Sequence, residues 1–302
     1  MQKSTKWFLG ILAILLVFIT GFVVLISFVV TSSIPSDTEI ITHGSGEKIA
    51  VVEVYGLIRS STETNRQLKE YADDHSIRAI LVHVDSPGGG VVASQEIYEQ
   101  IRKIRDAGKP IIVSMGSLAA SGGYYIACGA TRIVANRGTL TGSIGVIAEF
   151  LQLREALDKL GVDVKIIKSG RLKDAGTPMR EMTGEDERYF QSLMDEVHLQ
   201  FADVVMEERE LDFDRVMELA DGRVFTGEDA LAKGLVDTIG TFEEAVTIAA
   251  GFAGIKGDPA LVRERKRRVW WEGFVGEAIQ EVAEWKNELL DRPVLSYRFV
   301  GP

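Results

Sequence analysis

The sequence is poor in the residues that build metal and disulfide chemistry. It has one cysteine, Cys128, in 302 residues. One thiol cannot form a disulfide framework or a thiolate metal site. Cys128 sits among small and apolar residues and reads as a packed core thiol. Histidine is also scarce, at four: His43, His75, His83 and His198. None forms an HExxH pair or a two-histidine cluster at ligand spacing, so no metal and no cofactor is expected. No GxxxxGK or GxGxxG phosphate loop is present. Basic charge is in deficit, with 34 Lys and Arg against 44 Asp and Glu and a formal net charge of −10. Nucleic-acid binding, which needs a dominant basic surface, is excluded as a general role.

What is present begins with an apolar run. Residues 7–30, "WFLGILAILLVFITGFVVLISFVV", carry no charge in 24 positions. A spanning helix needs about 20 apolar residues, while the apolar part of a cleavable signal peptide is about 7–15 residues long. The run therefore predicts an uncleaved transmembrane anchor within residues 1–34. Lys3 and Lys6 precede it and the first charges after it are Asp37 and Glu39. Positive flanks stay cytoplasmic, which places the N-terminus inside the inner (cell) membrane and the rest of the chain outside, in a single-pass topology. Residues 35–47 read as a polar linker.

Strand and helix patterns alternate from residue 48 onward. "KIAVVEVYGLI" (48–58), "IRAILVHVDS" (77–86), "PIIVSMGS" (110–117) and "TRIVAN" (131–136) are short apolar runs of buried-strand type. "VDVKIIKSG" (162–170) also reads as a strand. Helical spacing marks 91–108, with Gly108 as its stop, a small-residue helix from 119 to about 129, 153–161, and one long helix from 184 to about 211. Residues 222–250 read as strand, helix, strand, helix. This alternation predicts an α/β domain of βαβ type over 48–255. No internal repeat appears, so one module is expected. Residues 256–302 form a basic, amphipathic tail.

Three stretches can carry chemistry. "DSPGGG" (85–90) is either a tight turn or a turn whose backbone N–H groups face developing negative charge. "AASGGYY" (119–125) is either a close helix contact or a nucleophile, Ser121, followed by an oxyanion donor, the N–H of Gly122. "KSGRLKDAGTPMREMT" (168–183) is a loop with Lys173, a solvated lysine on the plain reading. A serine nucleophile needs a base. His198 lies in the long helix, one step from its apolar face, and His83 lies in a strand. Neither is a persuasive partner, although the sequence alone leaves His83 open. A lysine can replace the imidazole if burial disfavours its charged form.

The motifs "DSPGGG", "SMGSLAASGGYYIACGA", "LTGSIGV" and "SGRLKDAGTPMREMT", in this order and spacing, closely resemble the signal peptide peptidase A family of membrane-bound serine endopeptidases. The resemblance runs from about residue 48 to residue 250 and implies a ClpP/crotonase-like fold of stacked ββα units, in the short single-module form. It puts the nucleophile at Ser121 and the general base at Lys173, 52 residues downstream. It puts oxyanion donors at the backbone N–H groups of Gly89 and Gly122, and Ser169 as a partner of the lysine. It implies that Thr141–Val146 line the substrate groove. The substrates implied are signal peptides left in the membrane. The resemblance further implies a homo-oligomer, a bowl of eight, in which the lysine of one protomer reaches the serine of its neighbour. No histidine occurs from 122 to 197, which supports the lysine separately from the resemblance. Two other classes remain open from sequence: a crotonase-type acyl-CoA enzyme and a catalytically silent membrane scaffold.

Three readings of the tail also stay open. "RERKRR" (263–268) with Trp270 and Trp271 is a solvated charge run before an amphipathic helix, or a membrane-surface contact. Alternatively "VLSYRFV" (294–300) occupies a substrate groove.

Overall fold

The structure, a computed structural model, describes residues 38–266 and 295–299, together with Trp7, Leu15, Leu16 and Gly21. The expected anchor at 7–30 lies almost wholly outside the described residues, as do Trp270 and Trp271. Among the described residues no helix is long and apolar enough to cross a membrane. The chain divides into two units, Met1–Ile41 with Glu264–Asp291, and Thr42–Arg263 with Arg292–Pro302. The packing and the site described below belong to the second.

In chain order the elements are β1 (Thr38–His43), β2 (Lys48–Tyr55), α1 (Thr62–Asp73), β3 (Ile77–Ser86), β4 (Gly88–Gly90), α2 (Val91–Asp106), β5 (Ile111–Ala120) and α3 (Gly122–Cys128). Then follow β6 (Arg132–Ala135), β7 (Leu140–Gly142), α4 (Arg154–Lys159), α5 (Gly184–Arg209), α6 (Phe213–Leu219), β8 (Val224–Thr226), α7 (Gly227–Ala232), β9 (Thr238–Ile239), α8 (Phe242–Phe252), β10 (Ala260–Lys266) and β11 (Ser296–Arg298).

The main sheet runs β10-β2-β3-β5-β6-β9, and every pairing along that path is parallel. Parallel strands are buried on both faces, which is why their sequences are near-continuous apolar runs. Alternate side chains divide between the faces. Ile80, Val82, Val84, Val113 and Met115 join the larger core with α2 and α3. Ala79, Leu81, Ile112 and Val134 face the other way, against Ala245 and Ala249 of α8. Each fully buried Val, Leu or Ile contributes about 1.5–3 kcal/mol of transfer free energy.

Strand β5 changes partner along its length. Its first half pairs with β6 (Ile112–Met115 on Arg132–Ala135) and its end with β7 (Leu118–Ala120 on Leu140–Gly142). The chain then enters α3 through Ser121.

Several expectations needed revision. Ala119 and Ala120 belong to β5, so the helix begins at Gly122. Residues 162–168 form no strand, because no other described segment supplies the ladder partner a strand requires. Gly88–Gly90 is a short strand, not merely a turn. The sheet also runs past the expected boundary at 255, since Ala260–Arg263 pair with Lys48–Val51. Helices α1 and α6 were not anticipated.

Candidate active site

The site starts from a strained residue. Ser121 has φ 54° and ψ −115°, a left-handed φ rare for a residue with a side chain. Such backbone persists only where the surroundings over-determine it. Here its N–H donates to Gly142 O at 2.7 Å, and its carbonyl accepts from Tyr125 N–H at 2.8 Å. The first bond ties it to β7 and the second starts α3. A sharp strand-to-helix turn presents a serine hydroxyl and leaves the next N–H, that of Gly122, unspent by the helix. Ser121 is 1% exposed.

The glycine strand beside it is positioned by its two edges. Ile58 N–H donates to Gly88 O, and Gly90 N–H donates to Ile58 O, both at 2.8 Å. Successive peptide groups on a strand point to opposite edges. The N–H and C=O of Gly89 therefore face away from Ile58. Ser86 Oγ accepts from Gly88 N–H at 3.0 Å and donates to Gly56 O at 2.6 Å. Ser94 Oγ donates to Gly90 O at 3.0 Å. A methyl group on Gly89 would come within 2.0 Å of Ile58 O, and one on Gly122 within 2.5 Å of Ser94 Oγ. Glycine is required at both positions by close approach.

On the free edge of β4 lies the chain's own C-terminal segment. Strand β11 pairs antiparallel with β4, with Tyr297 opposite Gly89. Phe299 N–H donates to Pro87 O at 2.7 Å, and Val91 N–H reaches Leu295 O at 3.5 Å. Hydrogen-bonded pairs alternate along an antiparallel ladder. Tyr297 and Gly89, midway between those two pairs, form such a pair, and Gly89 N–H donates to Tyr297 O. A methyl group on Gly122 would lie 3.0 Å from both Gly89 N and Tyr297 O. The Tyr297 carbonyl thus meets the N–H of Gly89 and lies close to Gly122.

The other edge of the segment is held as well. Ile147 and Ser296 exchange two backbone bonds, at 3.0 and 3.1 Å. The stretch "TGSIGV" leads directly into that edge. The Tyr297 side chain is fully buried. It stacks on Tyr125, centroids 5.1 Å apart and 19° between planes, and packs on Phe201. Its hydroxyl donates to Val197 O at 3.1 Å. Burial pushes the Tyr297 phenol well above its ordinary pKa and Tyr125 up to about 12, so both hold their protons.

Lys173 stands elsewhere. It is exposed, in a loop between α4 and α5, and its backbone N–H donates to Gly170 O at 3.1 Å. Within one protomer no hydrogen bond joins it to Ser121. Ser169 is exposed too and makes no hydrogen bond to Lys173. What holds this loop is its neighbour Asp174. Arg180 grips Asp174 with two bonds of 3.0 Å, and Lys168 pairs with the same carboxylate. Arg180 also reaches Asp186 at 2.6 Å, and Asp186 closes the capping box of α5 with Thr183. Hydrogen bonds from Arg180 hold both carboxyls well below the usual carboxylate range.

Two histidines have defined surroundings. His83 Nδ1 contacts Ser114 O at 3.1 Å, and its ring packs edge-on to Tyr55 and Phe242. His198 lines a cleft with Ser143, Ile147 and Arg298, and its buried Nε2 has no hydrogen-bond partner. Neither is hydrogen-bonded to Ser121. No group of histidine, cysteine or acidic residues able to hold a metal occurs among the described residues.

Comparison with known proteins now decides the family. Residues 103–256 match the model of peptidase family S49, and residues 56–147 match that of Clp protease. A putative protease of Synechocystis is 45% identical over 214 residues, covering 70% of this chain and 76% of that protein. The chain belongs to peptidase family S49. It is a serine protease with an α/β, ClpP-like fold, and the acyl-CoA alternative falls with that assignment. A putative signal peptide peptidase SppA of Enterococcus faecium is 38% identical, covering 67% of this chain and 62% of that protein. Protease 4 of Haemophilus influenzae is 36% identical, and the match spans 71% of this chain but 36% of the longer protein.

Sequence reasoning singled out Ser121, Gly89, Gly122 and Lys173, but not Ile58, Ser86 and Ser94, which aim the glycine strand. The signal for Ser94 was available: it stands four residues after Gly90 on α2, one turn from the glycine carbonyl it bonds.

Proposed function

We propose that this S49 peptidase is a membrane-anchored endopeptidase that cuts peptides, remnant signal peptides among them, bound as an added strand. One observation carries the reading. The chain's own segment 295–299 lies antiparallel on the glycine strand, with its Tyr297 carbonyl at Gly89 N–H beside Gly122. Main-chain pairing gives such a site its grip, and pockets for alternate side chains give its selectivity.

The chemistry follows from the groups present. Ser121 Oγ attacks the carbonyl carbon, and its proton passes to the amine of Lys173. The oxygen becomes negative and takes hydrogen bonds from Gly89 N–H and Gly122 N–H, donors aimed before the reaction starts. The C–N bond breaks, and the leaving nitrogen takes the proton from the lysine. Water, deprotonated by the same lysine, then releases the acyl group from Ser121.

An amine acts as a base only when uncharged, and burial disfavours its charge. Ser121 is buried and Lys173 exposed in one protomer, which supports a homo-oligomer in which a neighbour's Lys173 covers Ser121. The resemblance puts that assembly at eight. The apolar run 7–30 supports tethering in the same plane as the substrate, which raises its effective concentration.

The test is cleavage of a synthetic signal peptide by the wild type, Ser121→Ala, Lys173→Ala and His198→Ala, from about pH 6 to 10. Activity rising with pH, lost in the first two variants and kept in the third, is expected. Full activity in Lys173→Ala ends the lysine assignment.

A further inference from the structure

The segment on the glycine strand also has a leaving-group side. With the Tyr297 carbonyl at the N–H of Gly89, the bond in the position to be cut is Tyr297–Arg298, and Arg298 is the first residue beyond it. The Arg298 side chain is 17% exposed and pairs with Glu149 at 3.7 Å. Beside it opens a cleft of about 410 Å³ lined by Asp195, His198, Asp221, Arg298 and Phe299. Asp221 is already engaged by Arg223 at 2.7 Å. Asp195 accepts from the amide of Gln191 at 2.7 Å and pairs with no cation among the described residues. Arg298 therefore pairs with Glu149 and also lines a cleft in which Asp195 has no cationic partner among the described residues. A part-covered pair is less screened than one in open water.

We infer that this side of the groove is a subsite for a basic side chain, so that the enzyme selects peptides with Arg or Lys immediately after the cut bond. The inference rests on the peptidase reading above. It names Glu149 and Asp195 as selectivity residues. Neither touches the reacting atoms, and both act on the first residue of the departing fragment.

The experiment uses the full chain and four peptides, Leu-Ser-Tyr-X-Phe-Val with X as Arg, Lys, Leu or Glu. The tethered segment competes equally with all four and cancels from their ratios. An exposed-to-half-buried pair sets the scale, so kcat/KM for Arg and Lys is expected about three- to fivefold above Leu and about tenfold above Glu. The preference should shrink at about 1 M salt. Glu149→Lys should invert the order, and Asp195→Asn should weaken it. Affinities of the Ser121→Ala chain for the same peptides should follow the same order without turnover. Equal rates for Arg and Leu, or an order unchanged in Glu149→Lys, overturn the subsite and leave the peptidase intact. Failure of the wild type to cut any of the four at a rate above Ser121→Ala overturns the peptidase reading, and the subsite with it.

Discussion

Gly89 N–H donates to the carbonyl of Tyr297, 208 residues further along the chain. The bond exists because Ile58 occupies the other edge of the glycine strand and turns the Gly89 peptide outward. It lays a peptide antiparallel on the glycine strand, beside Gly122 at the start of α3.

The segment 295–299 should therefore compete with substrate. Tyr297→Ala removes a fully buried ring stacked on Tyr125 and Phe201. Such truncations cost about 3–5 kcal/mol in a core, and here the cost falls on docking of the segment. The expected result is a lower KM for an added peptide with kcat nearly unchanged, read from steady-state kinetics of the two full-length chains. An unchanged KM would mean that the segment does not block the groove.

Sharing of the site between protomers can be read from mixed assemblies. Ser121→Ala and Lys173→Ala chains should each be inactive alone. Refolded or exchanged together, some sites join an intact serine to a neighbour's intact lysine. About a quarter of wild-type activity is expected at equal mixing if each site draws its two groups from two protomers at random. Activity that stays at the background of the separate variants would place both groups in one protomer.

The Arg180 network should give the Lys173 loop an acid limit. Asp174 and Asp186 have depressed pKa values in the fold, so their contribution is present above the ordinary carboxylate value of about 3.9 and is lost as pH falls through their folded values. The wild-type loop and the start of α5 are expected to hold near pH 4 and loosen below it. Arg180→Ala should move that loosening upward in pH, and Arg180→Lys should restore it in part, since an ammonium cannot bond Asp174 and Asp186 as the guanidinium fork does. Limited proteolysis between residues 168 and 183 across that range is the measurement.

Cys128 is buried, and burial pushes its thiol up to about 12. The thiolate is the reactive form. The folded chain should resist a thiol reagent at pH 8, and one equivalent should react in denaturant. Rapid labelling of the native chain would show that α3 opens readily, and with it the support for Ser121.

Some of this was legible in the residues. Strand β3 was read to its ends at 77 and 86, because a strand covered on both faces is a near-continuous apolar run. Ser121 was marked by the small residues around it. Other parts were not legible for physical reasons. Gly88–Gly90 has no side chains to alternate, and its strand character is conferred by Ile58 and Tyr297 on its two edges. "VDVKIIKSG" has the alternation but no described ladder partner, and a strand needs two chains of hydrogen-bonding groups. Strand β10 looked like part of a charged tail, because only its first residues pair with β2.

The sequence by itself determined which groups are available: a serine among small residues, glycines that permit close approach, one lysine loop, and too little cysteine for a disulfide or thiolate metal site. Those are properties of residue type and near neighbours. Only the tertiary structure decided which N–H groups face the groove, that segment 295–299 lies in it, and that an exposed lysine makes no hydrogen bond to the buried serine within one protomer. These depend on contacts between residues tens to hundreds of positions apart, and they are set by how the sheet and helices bury their faces against each other.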